Sequence, residues 1–110
     1  MSVAWFRRRF GGTCVGSAER ISGVCDLLMK NDSPLTMGIV SAMGVANKGE
    51  PKVTDCLINA TNMAAARDDA YMIELDKLED KHVTTAKALL TDKAEYDAYI
   101  ATFKYNRRVY

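Results

Sequence analysis

Arg9-Phe10-Gly11-Gly12-Thr13-Cys14-Val15-Gly16-Ser17-Ala18-Glu19-Arg20-Ile21 is the stretch on which the fold turns. Upstream of it, Val3, Trp5, Phe6 and Phe10 are bulky and β-favouring, so a strand is expected over residues 2–10, stopping at the paired glycines. Downstream, Ser17 is placed to cap a helix, and Ile21, Val24, Leu27 and Leu28 follow at helical spacing, which predicts a helix over residues 18–30. Asn31-Asp32-Ser33-Pro34 ends it. The apolar run of Met37, Ile39 and Val40 within residues 35–41 then reads as a buried strand, parallel to the first across the helical crossover. Strand, helix and strand make a βαβ unit.

Beyond it, residues 42–52 hold Gly44, Asn47, Gly49 and Pro51 and read as a loop, and residues 53–66 read as a helix. Asp68 and Asp69 open a longer amphipathic segment in which Tyr71, Leu75, Leu78, His82 and Leu89 recur at helical intervals. Asp92 and Glu95 resemble a capping box and open a last helix carrying Tyr96, Ile100 and Phe103. The expected class is α/β: strand, helix, strand, then about three helices, in one domain.

Composition narrows the function classes. At 110 residues with 48% hydrophobic content the chain supports one modest core. The net charge of +1 hides two basic clusters, Arg7-Arg8-Arg9 and Lys104 with Arg107 and Arg108. The middle of the chain is as acidic as it is basic and no recognition motif accompanies them, so nucleic acid is not an expected partner. No apolar run reaches the roughly 18 residues of a membrane span, and the apolar residues before the arginines do not form a secretory signal. Cys14, Cys25 and Cys56 are an odd number without C-x-x-C spacing, which favours reduced thiols over disulfides or zinc, in a cytosolic or organelle-stroma setting.

Both expected strands end in small or glycine-rich turns, Gly11-Gly12-Thr13 and Ser41-Ala42-Met43-Gly44. Ligands of α/β sheets sit at the C-terminal ends of strands, so two such turns suggest one shared pocket. Without Cβ atoms the backbone can approach a polyphosphate closely, and the N–H groups at the next helix start face anionic oxygens. Taken alone, Gly-Gly-Thr after a strand is a weak signal and reads first as an ordinary tight turn. His82 reads as a partly buried helix residue, and Glu74, Asp76, Glu79, Asp80 and Lys81 as a solvated helix face with some pairing.

The full string from Arg9 to Ile21 resembles the K-F-G-G-T-[SC]-V-G-x-x-x-R-I opening of aspartate kinases, including the kinase half of bifunctional aspartokinase/homoserine dehydrogenases. Val40-Ser41-Ala42-Met43-Gly44 is similar to the second motif of that family and Lys52-Val53-Thr54-Asp55 to the K-[VT]-T-D run after it. Residues 66–71 and 79–82 look like the helical insert of the plant-type and bifunctional members. The resemblance implies phosphoryl transfer from ATP, with Mg²⁺, to the side-chain carboxylate of L-aspartate, towards lysine, threonine and methionine. It implies the N-terminal part of an amino-acid kinase α/β/α sandwich, in the cytoplasm or a plastid. Position by position, Arg9 stands where the family has its catalytic, phosphate-contacting lysine. Phe10, Gly11 and Gly12 stand in the ATP loop, Ser41 stands near the nucleotide phosphates, and Thr54 matches the threonine that holds aspartate. No protein ligand to a metal is implied within these residues.

Two features set expectations for activity. Arginine at Arg9 keeps the charge but replaces a compact ammonium with a planar fork, which should lower turnover where geometry is tight. The family's later strands, acidic residues and regulatory domains would follow Tyr110, so these 110 residues are expected to hold part of a nucleotide pocket and to self-associate through open strand edges. The alternatives are a catalytically dead remnant acting as an interaction module, or another amino-acid kinase acting on glutamate, N-acetylglutamate or UMP.

Overall fold

The structure, a computed structural model, describes residues 4–45 and 47–109. Strand β1 runs Phe6–Phe10, helix α1 Ala18–Met29 and strand β2 Thr36–Val40, with a 3-10 turn, Gly12–Val15, between β1 and α1. Ala4 and Trp5 precede the strand, and Ser2 and Val3, the expected strand start, lie outside the described residues. The strands pair in parallel, from Phe6 opposite Thr36 to Phe10 opposite Val40. Because parallel neighbours need a crossover, α1 is that crossover, and Ser17 starts it: its hydroxyl oxygen accepts the Arg20 N–H at 3.3 Å.

Helix α1 covers one face of the two-stranded sheet. Phe10, Val15 and Val24 form a buried cluster, with Ile21 and Leu28 packed against it. Leu28 lies directly on Gly38, where a Cβ would come within 2.8 Å of a Leu28 methyl. Alternation along the strands puts Arg7, Arg9, Met37 and Ile39 on the opposite face. The expectation that β2 is a buried strand is corrected: Met37 and Ile39 on that face remain 43% and 45% exposed, and Val40, at the strand end on the α1 side, is more open still. An apolar run predicts burial only when layers cover both faces, and only α1 supplies one.

Helices α2 (Val53–Ala65) and α3 (Tyr71–Leu89) pack on each other around a second cluster of Val53, Cys56 and Leu78, joined by Leu75 and by Met43 from the loop after β2. The turn between them is closed by Asp68 N–H to the Met63 carbonyl at 2.8 Å and Arg67 N–H to the Ala64 carbonyl at 3.0 Å, with Arg67 at φ 57°. That is a Schellman cap with arginine in the left-handed position. Helix α4 (Lys93–Val109) starts after Asp92, whose carboxylate accepts the Ala94 N–H at 2.8 Å. It docks on α3 through Phe103 beside His82, ring centroids 5.1 Å apart, and through Arg107, which pairs with both Asp76 and Glu79. His82 is half-buried, as its spacing implied, with Nδ1 2.7 Å from the Leu78 carbonyl. No helix among the described residues is long and apolar enough to cross a membrane.

Candidate functional site

The parallel pairing brings the two turns that follow the strands side by side. The Ser41 N–H continues the ladder to the Phe10 carbonyl at 3.1 Å, and three residues on, the Gly44 N–H donates to the Gly12 carbonyl at 2.9 Å. The turns touch through bare backbone. A Cβ on Gly44 would lie 2.4 Å from the Gly12 carbonyl carbon, and one on Gly12 would lie 3.2 Å from the Gly44 Cα. Neither obstacle is a side chain that could swing away, so the approach requires glycine at position 44 and is tight at position 12.

Arg9, Phe10, Gly11, Ile39, Val40 and Ser41 line a pocket of about 190 Å³ at the strand ends. Arg9 and Phe10 also border a larger open groove of about 1010 Å³, to which Arg8, Thr13, Arg20 and Lys48 contribute. Four cationic residues, Arg8, Arg9, Arg20 and Lys48, are among those lining it, together with Val24 and Leu27 of α1. Cationic rims, a glycine turn and a hydroxyl at Ser41 suit an anionic ligand with several oxygens.

The structure therefore brings together Arg9, Phe10, Gly11 and Ser41, with Gly12 at the junction behind them. The Phe10 ring is buried in the core, so only its backbone is offered to a ligand. Thr54 is not in that pocket. It lies exposed in the first turn of α2 and lines a separate shallow depression with Leu57, Ile58, Thr61 and Asn62. The cap position of α2 is Lys52, so Thr54 does not cap the helix either.

Two residues that sequence reasoning gave no role at this site hold it together. The Arg20 guanidinium donates to the Thr13 carbonyl at 2.8 Å and reaches the Val45 carbonyl at 3.5 Å, bracing the first turn against the second. Lys81, assigned to a solvated face, sends its ammonium to the Gly44 carbonyl at 2.7 Å and pairs with Glu50 at 3.5 Å. Arg20 was visible as the arginine closing the first motif. Lys81 lies 37 residues from Gly44 and carried no local signal. Among the described residues no three His, Cys, Asp or Glu side chains gather into a metal cage.

No family model and no solved structure matches the chain significantly. Proteins of known identity do. Bifunctional aspartokinase/homoserine dehydrogenase 1, chloroplastic, of Zea mays is 45% identical over 86 residues, 78% of this chain and 9% of its own length. The enzyme of the same name from Arabidopsis thaliana is 39% identical over 98 residues, 89% of this chain and 10% of its own. That of Daucus carota is 41% identical over 88 residues, 80% of this chain and 9% of its own. The chain thus spans about a tenth of the length of these relatives. It is homologous to one segment of these plant enzymes and belongs to the aspartokinase-like family they represent.

Proposed function

We propose that the chain carries the ATP-phosphate cradle of an aspartate kinase, a phosphotransferase that moves the terminal phosphoryl group of ATP to the side-chain carboxylate of L-aspartate in lysine, threonine and methionine synthesis. The observation that carries the proposal is the backbone junction of Gly12 and Gly44, beside a pocket holding Arg9 and Ser41 at the ends of two parallel strands. In this reading the βαβ unit is the start of an amino-acid kinase sandwich, and plastid residence follows the chloroplastic relatives.

The chemistry asks little of a general base. A carboxylate with a pKa of about 4 is already ionised at neutral pH. The demand is to let two anions meet, which requires cations and N–H donors around the migrating group. Arg9 and Arg8 supply charge from β1, and Arg20 and Lys48 supply it from the opposite wall. Gly11, with open space where a Cβ would stand, lets phosphate oxygens approach the backbone, Gly12 sets its turn against Gly44, and the Ser41 hydroxyl orients one of those oxygens. Mg²⁺ would arrive on the nucleotide and neutralise phosphate charge there. Thr54, by its match to the family's substrate threonine, is assigned to aspartate, on a surface apart from the phosphate pocket.

Arg9 where the family has lysine, together with the uncovered sheet face, favours one other reading, an inactive module that binds another protein. Amide NMR of the chain titrated with MgATP separates them. The kinase reading expects shifts concentrated at Gly11, Gly12, Thr13 and Gly44 with α4 unmoved, and an unchanged spectrum at millimolar nucleotide would contradict it.

A further inference from the structure

The two phosphate turns are not self-supporting. Gly44 offers two backbone groups: its N–H holds the Gly12 carbonyl, and its own carbonyl is held from behind by Lys81 of α3. The Lys81 side chain is only 18% exposed, and its charge is balanced by Glu50, whose carboxylate also accepts from the Asn47 backbone N–H at 3.3 Å and side-chain amide at 3.2 Å. One ammonium therefore anchors the loop after β2 at two points, at Gly44 and, through Glu50, at Asn47 beside the cationic groove. Arg20 does the corresponding work on the first turn from α1.

We infer that Lys81 is a positioning residue for the proposed phosphate site: it holds Gly44 where its N–H can lock Gly12, and so sets the spacing of the two turns without touching the ligand. The assignment rests on the proposed function for what the turns bind, but not for the spacing itself. The geometry makes the role directional. A charge-assisted bond to a carbonyl in a partly buried site is strong, and its loss leaves that carbonyl free to turn away. The hydrophobic contacts that hold α3 to α2 lie elsewhere, at Val53, Cys56, Leu75 and Leu78, so the helices themselves do not depend on Lys81.

The test is hydrogen exchange at the Gly44 amide, which reports the junction with or without nucleotide, combined with MgATP titration. Lys81→Met keeps length and removes charge. It is expected to lower Gly44 protection about tenfold, the loss of roughly one hydrogen bond's worth of order, while α1 and α3 amides keep theirs, and to weaken MgATP binding in parallel. Lys81→Arg should recover most of both. Unchanged Gly44 protection in Lys81→Met, or an equal loss at every amide, would overturn the inference. Should Lys81→Met not fold, Glu50→Gln is read at the same amide: a selective fall supports the role and no change overturns it. If the unmodified chain binds no MgATP yet Gly44 responds selectively, the kinase proposal fails and the positioning role stands.

Discussion

Single residues carry the clearest information, and they divide by whether their partner is near in sequence. Gly11, Gly12, Ser17 and Gly44 announce themselves, because a turn or a cap needs their particular backbone or hydroxyl. Lys81 does not, because its partner is a carbonyl supplied by a distant loop, and a lysine on a helix face looks the same whether solvated or seated. The thiols show the same contrast: identical in sequence, they differ in the fold, with Cys14 and Cys25 exposed and Cys56 2% exposed. Burial, helped by the nearby Glu74 carboxylate, raises the Cys56 pKa. A raised folded value means that the contribution is fully present below the ordinary thiol value of about 8.5 and is lost as pH climbs towards the folded one. Cys56→Ala should therefore remove part of the alkaline loss of stability in denaturation curves taken across that window. Fast labelling of two thiols and slow labelling of the third is the accompanying expectation, and three equal rates would contradict the burial.

At the scale of elements, periodicity placed α1 and α2 to within a residue at either end and the starts of α3 and α4 to within about three residues, without fixing where those two end, since all four are amphipathic and bounded by Ser, Asn, Asp or Pro. The strands were placed too, though trimmed to Phe6–Phe10 and Thr36–Val40. Their burial was not legible, because an apolar strand reads the same whether one layer or two covers it. The turn between α2 and α3 was legible only as a break. Its left-handed residue is Arg67, where a Cβ costs about 1 kcal/mol that glycine does not. Arg67→Gly is therefore expected to stabilise the α2–α3 pair by about 0.5 kcal/mol once glycine's larger unfolded-state entropy is subtracted. Urea unfolding checks it, and a destabilised variant would mean that the arginine side chain contributes more than its backbone strain costs.

As a whole the molecule is elongated, 59 × 29 × 29 Å, with a radius of gyration of 16.6 Å against roughly 13 Å for a compact domain of this size. Two small clusters share the work of a core, one under α1 and one between α2 and α3. Met37, Ile39, Leu57, Ile58 and Ile73 stay exposed around them. Surface of that kind favours association, so light scattering at micromolar concentration should give a mass that rises with concentration above the 12.2 kDa of one chain. A constant monomer mass would contradict this. The central claim is narrower: the Gly12–Gly44 junction and the cations around it form a seat for nucleotide phosphates. Calorimetry of MgATP binding to the unmodified chain and to Gly44→Ala tests it most directly. The account predicts sub-millimolar binding by the first and its loss in the second, whose Cβ would force the two turns apart. Equal affinities, or no binding by the unmodified chain, would contradict it.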